Sequence, residues 1–110
     1  MRFMLDTNVC IDLIRQRSAA TLKTLQRMSP NDVCISAITL SELEYGVARS
    51  SAPERNRLAL AEFMTPIAVL PYSDMAAPVY GRIRAHLDRK GCGIGALDTL
   101  IASHALAAGL

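Results

Sequence analysis

Short apolar runs alternate along the chain with longer segments in which apolar residues recur every three or four positions. The runs at residues 2–5, 33–36 and 67–70 are predicted to be strands, and the periodic segments between them are predicted to be helices. Because each run is apolar throughout instead of alternating with polar residues, its strand is expected to be covered on both faces. The pattern therefore predicts an α/β fold in which a parallel sheet is flanked by helices.

Residues that begin or end helices divide the periodic segments. Pro53 and Pro78 suit the first turn of a helix, and Gly91 suits the position just beyond a helix end. The predicted helices begin near Asn8, Leu22, Thr39, Pro53, Pro78 and Asp98.

Composition narrows the class of protein. The chain has 110 residues, of which 51% are hydrophobic and 20% are charged, so a single domain over residues 1–110 is expected. No apolar stretch approaches the roughly 20 residues that cross a membrane, and a cytoplasmic location is expected. The three cysteines include no C-x-x-C pair, which argues against a zinc site or a disulfide framework. The net charge of +2 does not by itself indicate a nucleic-acid-binding protein.

Three acidic residues stand near the starts of predicted helices: Asp6, Glu42 and Asp98. Each also has a purely local interpretation. Asp6 could cap the first helix, and Thr39 and Glu42 have the spacing of a capping box. Asp98 could simply place a favourable charge at a helix N-terminus.

Considered together, the three acids favour a shared site. Residues that follow the strands of a parallel sheet meet in a crevice at its carboxyl edge, so Asp6, Glu42 and Asp98 are expected to converge. Two carboxylates about 4 Å apart repel by about 1 kcal/mol in water and about 4 kcal/mol at an effective dielectric near 20, so convergence would be costly without a cation. Oxygen donors without suitable Cys or His ligands point to Mg²⁺ or Mn²⁺.

Two other patterns are weaker. Residues 91–96 match the G-x-G-x-x-A dinucleotide pattern, but they follow a helix instead of a strand, so this interpretation is rejected. His86 and His104 lie on predicted helices, and the sequence indicates no Ser or Cys partner for either of them. Each is interpreted as a solvated or half-buried histidine, and a catalytic triad is unsupported.

Three segments resemble the acidic motifs of PIN-domain ribonucleases, particularly VapC-type toxins: residues 4–8 (MLDTN), 41–46 (SELEYG) and 98–102 (DTLIA). Their order and spacing match over the whole chain. The resemblance implies that Asp6, Glu42 and Asp98 form an acidic metal pocket, with Thr7 or Asn8 orienting the ligands. It also implies a structured-RNA substrate, a cognate antitoxin that blocks the pocket, and a homodimer.

Proteins of this kind usually continue into a further strand that carries a fourth pocket residue. This chain stops at Leu110, so the final strand of the PIN-like sheet is expected to be missing. An exposed sheet edge and self-association are the expected consequences.

The predicted function is that of a Mg²⁺-dependent endoribonuclease toxin. Asp6 and Asp98 would hold the metal, and Glu42 would bind a second ion or orient the attacking water. Arg82, Arg84 and Arg89 either hold the RNA backbone or form a solvated helix face, and the solvated face is the simpler interpretation.

Two alternatives stay open. A phosphatase of the haloacid-dehalogenase kind is disfavoured, because Asn8 stands where that pattern needs a second aspartate. The second alternative is a truncated, catalytically impaired module that only binds an antitoxin. Metal-dependent RNA cleavage would distinguish the enzyme from such a module.

Overall fold

A computed structural model describes residues 3–15, 23, 27 and 29–110. Within them, three parallel strands form one sheet in the order β1-β2-β3. The strands are β1 (Phe3–Leu5), β2 (Val33–Ser36) and β3 (Ala68–Leu70). Leu5 pairs with Ile35, and Ile35 pairs with Val69, so all three strands end at the same edge of the sheet. The predicted parallel α/β arrangement is confirmed.

The α-helices of the described residues are α1 (Thr7–Arg15), α2 (Ala37–Ala48), α3 (Pro53–Met64), α4 (Ala77–Lys90) and α5 (Ala96–Ala107). Single turns of 3-10 helix, Pro30–Asp32 and Asp74–Ala76, precede β2 and α4. The helix predicted near Leu22 lies outside the described residues. In the described part of the chain, no helix is long and apolar enough to cross a membrane.

Two helices begin earlier than the sequence predicts. Ser36, the last residue of β2, keeps an extended backbone, and its Oγ accepts a hydrogen bond of 3.1 Å from the Ile38 N–H. Ser36 is therefore the N-cap of α2, which starts directly after the strand. The predicted start at Thr39 is wrong, and Thr39 lies inside the first turn. The last helix likewise begins at Ala96, after Gly95, and not at Asp98.

The core lies around the central strand. All four residues of β2 are buried, and Ile35 belongs to an apolar cluster to which α1, α2 and α3 contribute: Cys10, Ile35, Leu43, Val47 and Leu60. The outer strands are less covered, since Phe3 and Val69 are each 38% exposed. Cover on both faces, which the apolar runs predict for every strand, is thus complete only for β2.

The C-terminal end of α4 agrees with the sequence signal. Gly91 adopts a φ of 65°, in the left-handed region. The N–H groups of Gly91 and Cys92 donate to the carbonyls of Asp88 and Leu87, which satisfies two helix-end acceptors. The glycine is needed because a side chain at this φ would be strained.

Candidate active site

The carboxyl edge of the sheet positions the first two acidic residues. Leu5 of β1 pairs with Ile35 of β2, so Asp6 and Ser36 leave the sheet side by side. In each case a helix begins at the next residue. The junctions are short because Asp6 and Ser36 are themselves helix caps.

Asp6 caps α1, as its local interpretation predicts. Its Oδ1 accepts a hydrogen bond of 2.8 Å from the Val9 N–H, and its carbonyl accepts one of 3.1 Å from the Cys10 N–H. The residue is exposed, and Oδ2 has no hydrogen-bond partner among the described residues. One carboxylate oxygen therefore stabilises the helix while the other is available to a ligand.

Glu42 contacts the first turn of α1. The Thr7 hydroxyl donates a hydrogen bond of 2.6 Å to Glu42 Oε1, across 35 residues of sequence. Since Thr7 follows Asp6 directly, this bond brings the Glu42 carboxylate to the helix end that Asp6 caps. The capping-box interpretation is wrong, because Ser36 is the N-cap and Glu42 bonds to Thr7 instead of to the backbone of Thr39.

Asp98 lies in the first turn of α5 and is exposed. Its carboxylate folds back towards the helix start, since a Cβ placed on Gly95 would lie 3.7 Å from Asp98 Oδ2. The negative charge is favourable there because of the helix dipole. Asp98 thus lies where its local interpretation places it, on a helix that contacts both β2 and α2.

The acidic residues do not form a closed cluster. In residues 3–15, 23, 27 and 29–110, no three side chains of Asp, Glu, His or Cys lie close enough together to hold a metal ion. The expected convergence of all three carboxylates is therefore not seen. Mg²⁺ is usually bound by one or two carboxylates and keeps several waters, so exposed carboxylates such as that of Asp6 fit such an ion without a cluster of three.

The Cys10 thiol lies just inside this edge and is fully buried. Burial raises the pKa of the Cys10 thiol to about 12, and the negative charge of Asp6 adds to the effect. The thiol is therefore protonated at neutral pH and supplies no thiolate ligand. The donors of the site are oxygen atoms.

A buried Ser–His contact is the feature that sequence reasoning missed. His104 Nδ1 lies 2.8 Å from Ser36 Oγ, although the residues are 68 positions apart. His104 is only 5% exposed, so the prediction of a solvated or half-buried ring is wrong for it, whereas His86 is exposed as predicted. Ser36 is 0% exposed, which denies its hydroxyl the access to substrate that a nucleophile needs. No local pattern signals a contact over this separation.

A groove of about 290 Å³ runs between α1, α2 and α3. Its apolar walls include Ile11, Ile14 and Val47, and the carboxylate-bearing Glu42 also lines it. The groove thus connects an apolar surface with the candidate active site.

These features define a parallel α/β protein with carboxylates and a helix cap at the carboxyl edge of its sheet. The chain belongs to the PIN domain family, whose model matches residues 3–110.

Within this family, the chain is similar to proteins named VapC and to solved VapBC structures. The chain is 42% identical over 110 residues to the tRNA(fMet)-specific endonuclease VapC of Shigella flexneri, covering 100% of this chain and 83% of the relative. Its fold is similar to that of DNA-bound VapBC from Salmonella typhimurium, with a TM-score of 0.91, 43% identity and cover of 100% of this chain and 83% of the other. VapBC2 from Rickettsia felis, bound to a DNA fragment from its promoter, gives a TM-score of 0.91, 35% identity and cover of 99% and 83%.

Proposed function

We propose that this protein is the endoribonuclease toxin of a toxin–antitoxin pair. Membership of the PIN domain family and similarity to VapC endonucleases support RNA cleavage. The similarity to VapBC complexes supports neutralisation by an antitoxin. The observation that carries the catalytic part of the proposal is the Thr7–Glu42 hydrogen bond, because it brings Glu42 to the exposed carboxylate of Asp6.

The acidic residues have different roles in this proposal. Asp6 and Asp98 would hold a divalent ion, and Glu42 would orient the attacking water or bind a second ion. Thr7 donates a hydrogen bond to Glu42 Oε1 and so holds this carboxylate beside the start of α1. When bound, Mg²⁺ or Mn²⁺ supplies positive charge beside the scissile phosphodiester and lowers the pKa of the attacking water.

The exposed arginines of α4 are candidates for the RNA backbone. Arg82, Arg84 and Arg89 are all exposed. Arg84 already donates a hydrogen bond of 2.7 Å to the Tyr80 hydroxyl of its own helix. We therefore assign the phosphate contacts to Arg82 and Arg89 in preference to Arg84.

The groove beside Glu42 suits a segment of the antitoxin. Apolar side chains of such a segment would pack on Ile11, Ile14 and Val47, and a basic side chain would pair with Glu42. Occupation of the groove would block the active site, which is how binding would neutralise the toxin. A homodimer and a cytoplasmic location, where RNA and antitoxin are both accessible, complete the proposal.

Substitution of the carboxylates tests the catalytic assignment. Asp6→Asn keeps the capping oxygen but removes the charge, so α1 is expected to keep its stability while RNA cleavage falls by about 100-fold or more. Glu42→Gln and Asp98→Asn are expected to lower cleavage similarly. Glu62→Gln, at an exposed carboxylate of α3, is the matched control and should leave cleavage unchanged.

Two measurements accompany these variants. RNA cleavage is followed with Mg²⁺ and after chelation, and Mn²⁺ binding is measured by calorimetry without RNA. Well-folded Asp6→Asn that cleaves RNA at the wild-type rate would contradict the active-site assignment. A wild-type protein that binds antitoxin but cleaves no RNA would instead support the impaired module considered above.

A further inference from the structure

One side-chain hydrogen bond ties α5 to the end of β2. Within the described chain, the other side-chain hydrogen bonds from α5, donated by Thr99 and Ser103, go to the carbonyls of Gly95 and Thr99. His104 instead bonds Ser36, the residue that caps α2. The contact therefore joins the helix that carries Asp98 to the start of the helix that carries Glu42.

The groups around this contact determine its direction. Ser36 Oγ already accepts a hydrogen bond from the Ile38 N–H, so its own proton is available to His104 Nδ1. The imidazole is neutral, because burial lowers the pKa of His104. The Pro71 backbone acts in the opposite direction on this pKa, which fits a ring N–H facing its carbonyl, because proline has no N–H to donate. Tyr72 packs against the ring edge, with centroids 5.5 Å apart, and restrains its rotation.

The other contacts of α5 are packing contacts, chiefly with α4 and with the 3-10 turn Asp74–Ala76. The large apolar side chain of Ile101 is buried in this helix, whereas those of Leu97 and Leu106 are 47% and 59% exposed. Apolar packing limits how far the helix can tilt or turn, but it has no preferred direction. The Ser36–His104 hydrogen bond has both a direction and an optimal length, and it therefore restrains both motions.

Asp98 is sensitive to such motions because of its distance along the helix. It lies six positions before His104, which corresponds to about 9 Å of α-helix. A tilt of about 6° at His104 would move Asp98 by about 1 Å over this length. A misplacement of about 1 Å in an active site can lower the rate about 100-fold.

We propose that Ser36 and His104 are positioning residues, whose hydrogen bond sets the location of Asp98 relative to Glu42 and so the geometry of the metal site. This inference rests on the proposed function, in which Asp98 and Glu42 belong to that site. Neither residue contacts substrate, since both are buried.

The test uses variants that remove one or both partners of the bond, and because Ser36→Ala also removes the N-cap of α2, urea unfolding checks that each variant is folded. Ser36→Ala/His104→Leu removes both partners, and His104→Asn keeps a polar atom close to the Nδ1 position. Ser103→Ala is the matched control, because Ser103 is a fully buried serine of the same helix whose hydrogen bond stays within α5. Mn²⁺ affinity is measured calorimetrically without RNA, and kcat and KM are measured with RNA at saturating Mg²⁺.

For the double variant we expect the Kd for Mn²⁺ to rise about 10-fold, as for other residues that orient metal ligands. The kcat should fall about 100-fold while KM for RNA stays within about twofold. His104→Asn should recover most of both losses, and Ser103→Ala should match the wild type.

Wild-type Mn²⁺ affinity and kcat in the double variant would overturn the inference, and so would equal losses in Ser103→Ala. Asp98→Asn, measured in parallel, separates this failure from that of the proposed function. If Asp98→Asn loses metal binding and cleavage while the double variant keeps both, only the positioning role is wrong. If Asp98→Asn itself behaves as the wild type, the proposed site is wrong and the inference fails with it.

Discussion

The buried Thr39 hydroxyl allows a clear prediction of how one side-chain group affects the stability of the protein. Thr39 is 0% exposed and lies in the first turn of α2, three residues before Glu42. Its Oγ1 is a buried polar atom without a hydrogen-bond partner in the described residues. A buried polar group left unsatisfied costs about 1–3 kcal/mol, so the folded state carries this cost at a single side chain.

Thr39→Val keeps the shape of the side chain and removes the hydroxyl. We expect the free energy of unfolding to rise by about 1 kcal/mol, at the lower end of that range because a hydroxyl is the smallest such group. The melting temperature should rise by about 4 °C for a domain of this size. RNA cleavage should stay at the wild-type level, because Glu42 is held by Thr7 and not by Thr39.

Thr99→Val is the matched control, since Thr99 is 2% exposed and its hydroxyl donates a hydrogen bond of 3.0 Å to the Gly95 carbonyl. The Gly95 carbonyl also accepts from the Thr99 N–H, so it is not left unpaired, and the expected loss is about 1 kcal/mol. Urea unfolding followed by circular dichroism measures both variants. A loss of stability in Thr39→Val, or shifts of equal sign in the two variants, would refute the reasoning.

Three further predictions concern the site and its supporting elements. Thr7→Val removes the donor to Glu42, so it should lower the free energy of unfolding by about 1 kcal/mol and the rate of RNA cleavage about 10-fold. Thr7→Ser keeps the hydroxyl and should behave as the wild type in both respects. Equal defects in the two variants would contradict this role of Thr7. The pKa of His104 is lowered by burial from its ordinary 6.5, so the unfolded chain binds more protons below that pH. The contribution of His104 to stability should therefore be complete above pH 6.5 and decline as the pH falls towards the lowered pKa. Urea unfolding measured between about pH 5 and 8 should show this decline in the wild type and not in His104→Leu. Gly91→Ala should destabilise the protein by about 1 kcal/mol because of the positive φ of Gly91. Gly81→Ala, inside α4 with open space around it, should stabilise the protein by about 0.5–1 kcal/mol. Calorimetry that finds changes in stability of the same sign for both variants would contradict the assignment of strain to Gly91.

Sequence alone determined the features that depend on a few neighbouring residues. The apolar runs predicted the three described strands, because a buried strand in a parallel sheet needs apolar side chains on both faces. Pro53 and Gly91 marked a helix start and a helix end, since their backbone preferences act locally. Asp6 and Asp98 were correctly associated with helix N-termini for the same reason.

Only the tertiary structure decided which distant groups meet. Thr39 and Glu42 have the spacing of a capping box, yet the strand ends so close to α2 that Ser36 takes the cap and Glu42 is free to bond Thr7. Likewise, the apolar sequence around His104 gave no sign that the ring forms a hydrogen bond with Ser36. Hydrogen bonds across 35 and 68 residues depend on how helices pack on the sheet, and that packing follows from the whole core, not from the spacing of residues along one segment.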